Sequence, residues 1–211
     1  MVKIIHPYHK MKKYQLGKYT WSELEIGDLA KAWIAISIAF AIVLSGAQIS
    51  VAFLMMFIVS ALTVGVGFIF HEMGHKMVAQ HYGIWAEFRA NYTLLLIAIA
   101  MSFLGFVIAA PGAVVIGMNR HADKKKMGHI AAAGPIMNII LALMFLPLFM
   151  LFQNPIVFYG FFINAFLALF NMIPFGIFDG YKILKWNKTV YTLMLVVSAA
   201  MVYFAFAYTG A

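Results

Sequence analysis

The hydrophobic residues of this chain stand in long runs, and short polar pieces separate one run from the next. Each run approaches the twenty residues that a helix needs to cross the hydrocarbon core of a bilayer. The pattern therefore predicts an all-α polytopic membrane protein with about five to six transmembrane helices. The runs cover approximately residues 30–46, 48–70, 94–118, 129–151, 155–173 and 188–209.

Composition supports the same conclusion and limits the chemistry. Of the 211 residues, 64% are hydrophobic and 10% are charged, and the mean hydropathy is +0.92. Soluble domains of this size do not normally reach these values. The chain contains no cysteine, which excludes disulfides and thiolate metal ligands. Any metal site must therefore use histidine and carboxylate groups.

The positive charges indicate how the chain crosses the membrane. Six simple crossings would place the basic residues at 124–126 and 182–188 opposite the basic N-terminus, against the positive-inside rule. If the run 94–118 enters the membrane and returns, all fifteen Lys and Arg fall on one side. We therefore expect a multi-pass protein of the cell membrane whose N-terminus lies in the cytosol. The net charge of +8 follows this rule, so no nucleic-acid partner is expected.

Run 94–118 also contains its own interruption. Pro111-Gly112 divides a helix-like piece, 94–110, from a short β-prone piece, 113–116, because proline cannot continue a helix. Extended backbone at membrane depth is tolerated only where protein buries it or where it lines a cavity. We expect a broken, returning segment with a short β element beside a cavity, paired in part with residues 84–92. The alternative is a kinked helix with an atypical loop.

A water-activating metal motif follows the second run. In His71-Glu72-Met73-Gly74-His75, the histidines are separated by one helical turn, so they share a face and can bind one metal ion. Glu72 then lies beside the metal and is free to act as a base. The alternative, a pair of interfacial histidines at a helix end, does not explain the glutamate between them.

A third ligand is needed if the fourth position of a tetrahedral zinc is kept for water. The chain has seven acidic residues, and among them Asp179 follows a transmembrane run directly. Its sequence neighbours are apolar, where an unpaired carboxylate is costly, so a cation partner is expected.

Three pieces of sequence, in this order, resemble the site-2 protease family of intramembrane zinc metalloproteases. They are the HEMGH helix at 71–75, the Gly-Pro-Ile-Met-Asn piece at 134–138, and the Asn-x-x-Pro-x-x-x-x-Asp-Gly element at 171–180. The resemblance covers approximately residues 50–185. This chain differs in a longer gap between the second histidine and the aspartate, and no segment is long and polar enough for a PDZ or CBS domain. It resembles a minimal form of the family.

The resemblance implies roles for five residues. His71, His75 and Asp179 would bind Zn²⁺ and Glu72 would be the catalytic base. Asn171 would orient substrate or stabilise the oxyanion; the alternative is a hydrogen bond to a neighbouring helix, as polar residues commonly make inside membranes.

The stretch from Pro111 corresponds, by the same resemblance, to a membrane-embedded strand near the active site. Because its backbone groups need partners that lipid cannot supply, we expect the substrate-binding residues Ala113, Val114, Val115 and Ile116 to pair with unwound substrate as an added strand. Asn138 is a further candidate for substrate binding.

The sequence thus predicts a zinc metalloendopeptidase that cleaves within or near the transmembrane segments of other membrane proteins, with its active site toward the cytosol. Its partners would be a transmembrane protein substrate and the lipid bilayer. We divide the chain into a cytosolic basic tail, 1–29, and one transmembrane metalloprotease domain, 30–211, with a catalytic core at about 48–185. The alternatives are an ion or metal transporter whose path His, Glu and Asp line, and a binding protein with a structural zinc.

Overall fold

The computed structural model describes residues 12–48, 50–107, 111–117 and 123–209. Eight α-helices form most of this part of the chain, and two antiparallel strand pairs accompany them. The helices are α1 (Glu23–Leu44), α2 (Val51–Ser60), α3 (Val66–His81), α4 (Tyr92–Ser102), α5 (Lys124–Phe152), α6 (Pro155–Asn171), α7 (Asp179–Trp186) and α8 (Lys188–Thr209). The strands are β1 (Lys13–Leu16), β2 (Tyr19–Ser22), β3 (Ala86–Ala90) and β4 (Gly112–Ile116).

Four helical stretches in the described residues are long and apolar enough to cross a membrane, which confirms a polytopic, mainly helical membrane protein. They are α1, the continuous 31-residue helix Val51–His81, α5 and α8. The apolar helix α6 is shorter, as is α4.

A π-helical turn, Ala61–Gly65, joins α2 to α3 without ending the helix. A π turn disturbs the regular ladder of backbone hydrogen bonds, and in lipid every freed carbonyl needs a donor. The Trp33 side chain of α1 supplies one, since its Nε1 lies 3.0 Å from the Ala61 carbonyl oxygen. This contact ties α1 to the helix that carries the histidines.

The first helix begins earlier than its apolar run. Ser22 caps α1, with its Oγ accepting a hydrogen bond of 3.2 Å from the backbone N–H of Glu25, as serine commonly does at a helix N-terminus. The described part of the predicted basic tail is folded, because β1 and β2 pair ahead of this cap and Gln80 of α3 bonds the backbone of Thr20. Residues 1–11 of that tail lie outside the described residues.

Strands β3 and β4 are antiparallel, with Phe88 opposite Val114. The chain between them therefore leaves this sheet through α4 and returns to it, which confirms the broken, returning segment and excludes a kinked helix. The pairing partner expected at 84–92 is β3. The adjoining core cluster packs residues of α1, the π turn, α3, α4 and α6 around Phe88, and includes Leu29, Phe68 and Ile163.

Candidate metal centre

The three ligands expected from the sequence meet in one buried group. His71 and His75 come from α3, and Asp179 is the first residue of α7. The two Nε2 atoms lie 3.1 Å apart, and Asp179 Oδ2 lies 3.4 Å from His71 Nε2 and 3.0 Å from His75 Nε2. With metal–ligand distances of roughly 2.0–2.1 Å, a tetrahedral zinc requires ligand atoms about 3.3 Å apart. The donor set and its spacing fit that ion.

His75 has its tautomer set by a backbone carbonyl. Its Nδ1 lies 2.7 Å from the carbonyl oxygen of Ile130 on α5. A carbonyl only accepts hydrogen bonds, so Nδ1 carries the proton and Nε2 presents its lone pair. This is the arrangement that orients a metal-binding histidine.

His71 has its tautomer set by Asn138 on α5. Asn138 Nδ2 donates to the Gly67 carbonyl and to Asn164 Oδ1, each at 3.1 Å. The remaining amide oxygen, Oδ1, lies 2.7 Å from His71 Nδ1 and accepts its proton. His71 Nε2 is therefore also free to bind a metal.

Asn138 supports His71 and also lines the cavity at the site, and the substrate-binding role that we expected for it stays a prediction. The residue is fully buried, with 0% exposure, and both hydrogens of its amide are bonded within the protein. Asn164 continues the network by donating to the Gly160 carbonyl at 2.9 Å. Sequence alone did not show that Asn138 bonds His71, because this contact depends on how α3, α5 and α6 pack.

Gly134 allows α5 to approach the two histidine rings. A Cβ at this position would lie 2.4 Å from His75 Nε2 and 2.7 Å from His71 Cε1. Such distances are far inside van der Waals contact, so only glycine fits here. The sequence showed a glycine within a motif but gave no reason for it beyond close helix packing.

Asp179 has the cation partner that its apolar surroundings required. Lys182 Nζ, one turn along α7, lies 3.3 Å from Asp179 Oδ1. The other carboxylate oxygen, Oδ2, is the one that faces the Nε2 atoms of the two histidines. Burial alone would raise the pKa of Asp179, but positive charge on the adjacent His75 and His71 would lower it below its ordinary value. Binding of a metal ion requires this carboxyl group in its ionised form.

Glu72 lies between the histidines and the sheet. It is buried, and its Oε2 accepts a hydrogen bond of 3.1 Å from the backbone N–H of Val114. The carboxylate therefore connects the helix of the metal ligands directly to β4.

A cavity of about 410 Å³ opens onto this group. Its lining combines the three ligand residues and Glu72 with β4 and with apolar side chains of α1 and α6. Asn171 also lines it, and its Nδ2 donates to the Leu167 carbonyl at 2.9 Å, within its own helix. Asn171 thus shares the cavity with Glu72 without contacting the ligands' hydrogen-bond network.

The two edges of β4 have different partners. The backbone of Asn91 bonds Pro111 and that of Gly117 bonds Trp85. Because antiparallel pairs alternate, Ala113 and Val115 also direct their backbone groups toward β3. Val114 and Ile116 direct theirs away from β3, toward the cavity. Ala113 and Val115 therefore use their backbone groups within the sheet, and the substrate-binding role that we expected for the four strand residues stays a prediction.

Comparison with known proteins places the chain in a family. It is 40% identical over 182 residues to a protein of Methanocaldococcus jannaschii named "Putative zinc metalloprotease", and the aligned part covers 83% of this chain and 91% of that relative. The chain belongs to this zinc metalloprotease family. No protein-family model and no solved structure matches the chain.

Membership agrees with the chemistry of the site. The protein is a metallopeptidase whose cofactor is zinc, and the buried His71, His75 and Asp179 could hold that ion. A transporter is not favoured, because the relative carries the name of a protease.

Proposed function

We propose that this zinc metalloprotease cleaves peptide bonds within or near the transmembrane segments of other membrane proteins, as site-2 proteases do. The observation that carries the proposal is the position of the zinc-binding group in a cavity walled by apolar helices. Ile36 and Phe40 of α1 and Phe166 and Phe170 of α6 line it together with Glu72. Such walls suit an apolar substrate better than a soluble polypeptide.

His71, His75 and Asp179 hold the zinc ion in this proposal. When bound, zinc polarises a peptide carbonyl and makes water a stronger acid. Glu72 takes the proton of the attacking water and delivers it to the leaving amine. Its hydrogen bond from Val114 holds one carboxylate oxygen in place, and Asn171, which lines the same cavity, orients the scissile segment.

The substrate binds in an extended form along β4. A helical substrate has its backbone groups bonded internally, so it must unwind before its carbonyl can be attacked. The backbone groups of Gly112 and Ile116 that face away from β3 offer partners to the unwound segment, which would add as a strand. Because Val114 N–H already bonds Glu72, the added strand lies directly beside the base.

The active site opens toward the cytosol in this arrangement. α1 and α2, and likewise α5 and α6, are joined by short connections at 45–50 and 153–154. The basic residues stand at the opposite end of the helices, including Lys76, Lys125 and Lys185. By the positive-inside rule, that end lies on the cytosolic side of the cell membrane. Arg120 lies outside the described residues.

Reconstitution tests the proposal. The purified zinc protein is placed in liposomes with a single-span substrate, and the fragments are mapped by mass spectrometry. We expect a cut within or next to the apolar segment, and none with the Glu72→Gln variant. Cleavage confined to soluble loops, with the span never cut, would overturn intramembrane proteolysis while leaving a metallopeptidase.

A further inference from the structure

Two carboxylates of α1 accept hydrogen bonds from backbone N–H groups on the edge of β3 that does not pair with β4. Glu25 Oε1 accepts a hydrogen bond of 2.9 Å from the Phe88 N–H, and Asp28 Oδ2 accepts one of 3.2 Å from the Ala90 N–H. These N–H groups point away from β4, and an unpaired buried N–H costs roughly 1–3 kcal/mol. The side chains of Glu25 and Asp28 thus cover one edge of the two-stranded sheet, and β4 forms the other edge, which faces the cavity.

Glu25 also contacts the helix that carries the zinc ligands. Its Oε2 lies 2.5 Å from Lys76 Nζ, and both side chains are completely buried. The same ammonium group lies 3.5 Å from the ring centre of Trp21. Glu25 occupies the position where a capping-box glutamate would bond back to the cap residue, yet both of its oxygens have these other partners.

Stability alone does not account for this ion pair. Replacing a buried ion pair by apolar side chains of similar volume is often neutral or stabilising, because burial removes the hydration of both charges. The geometry offers another reason. Glu25 joins Lys76 to Phe88, Phe88 is opposite Val114, and the Val114 N–H bonds Glu72, one turn before Lys76.

We propose that Glu25 is a positioning residue that fixes the sheet beside the catalytic helix α3 through the hydrogen bond it accepts from the Phe88 N–H, with Lys76 as its counter-charge. It holds Phe88, and through it Val114, at the place where β4 meets Glu72. The hypothesis rests on the proposed function, because it treats Glu72 as the base and β4 as the wall against which substrate is aligned.

A matched pair of double variants tests the role. Glu25→Gln with Lys76→Met removes both charges but keeps an oxygen for the Phe88 N–H. Glu25→Leu with Lys76→Met removes the same charges and the oxygen as well. Zinc content, thermal stability, kcat and KM are measured in detergent with a water-soluble fluorogenic peptide, and cleavage of a transmembrane substrate is followed in parallel.

We expect the glutamine variant to keep kcat within threefold of the wild type. The leucine variant should bind zinc normally but lose kcat by about 10- to 100-fold with little change in KM, since displacements of about 1 Å can cost 100-fold in rate. Equal kcat values in the two variants would overturn the proposal. If kcat falls in both variants in step with their loss of thermal stability, the ion pair is only structural, and the proposal is overturned as well.

Glu25→Asp covers the case in which the leucine variant does not fold. It keeps the charge but shortens the side chain by about 1.5 Å, one carbon–carbon bond, so it cannot reach Lys76 and Phe88 in their present places. A lower kcat with normal zinc content supports the positioning role, and an unchanged kcat contradicts it. The soluble peptide separates the two hypotheses: a wild type that cuts it but never a transmembrane substrate refutes only the proposed function.

Discussion

A methyl group added at Gly134 should disrupt the zinc site without unfolding the protein. The added Cβ would lie 2.4 Å from His75 Nε2, 2.5 Å from His75 Cε1 and 2.7 Å from His71 Cε1. Carbon and nitrogen atoms in contact normally stand about 3.5–4.0 Å apart. The rings or α5 must therefore move by about 1 Å, whereas zinc ligation tolerates deviations of only about 0.2 Å.

The expected loss of zinc affinity for Gly134→Ala is at least 100-fold. Even groups that only orient ligands cost 10- to 100-fold when they are changed, and here the ligating atoms themselves are displaced. Chelator competition measures the affinity, and metal analysis of the purified protein measures occupancy. One zinc per chain with wild-type affinity would refute the reasoning.

Gly27→Ala is the matched control. Gly27 lies within α1, and a Cβ there would meet no atom within 4 Å. Alanine is favoured over glycine in a helix by about 1 kcal/mol, so this variant should keep its zinc and gain slightly in thermal stability. The comparison separates the steric effect at the site from the general effect of replacing a helical glycine.

Three further predictions concern the ligand support, the strand and the topology. Asn138→Leu should lower zinc affinity by about 10- to 100-fold, because His71 loses the acceptor for its Nδ1 proton; unchanged chelator competition would contradict this role. Val114→Pro should impair cleavage while zinc content stays normal, because proline removes the N–H that bonds Glu72; a wild-type cleavage rate would exclude β4 from the mechanism. Single cysteines at Lys125 and Lys185 should resist an impermeant reagent in intact cells while one at Gln153 reacts, and the reverse pattern would invert the topology.

The sequence was most informative where spacing alone determines geometry. His71 and His75 are neighbours on any helix, and Asp179 stands directly after an apolar run, so its approach to them could be expected. Pro111 and the distribution of lysines together predicted that the chain returns to the side from which it left. The observed pairing of β3 with β4 follows from the same two features.

Roles that depend on packing between distant helices could not be obtained in this way. The sequence marked Asn138 as a candidate for substrate binding, but its hydrogen bond with His71 arises from the close approach of α5 to α3. Nothing in the sequence around Gly134 indicates that the rings of His71 and His75 pack against it. Glu25 stands three residues after the cap residue Ser22, the spacing of a capping box, yet its carboxylate bonds Lys76 and Phe88, which are remote in sequence.

The alternation of backbone direction was a further limit. A four-residue strand could be placed from its β-prone composition, but which of its N–H groups face the cavity depends on the pairing register. The structure directs Val114 toward Glu72 and Val115 toward β3. A shift of one residue would exchange these roles.

In the proposed mechanism Glu72 is the base at a zinc site formed by His71, His75 and Asp179. Zinc content and single-turnover cleavage, measured together for the wild type and Glu72→Gln, decide whether it has this role. Glutamine preserves the shape of the side chain but cannot take a proton from water. We expect equal zinc content and a cleavage rate lower by several orders of magnitude, whereas activity within tenfold of the wild type at equal zinc content would contradict the claim.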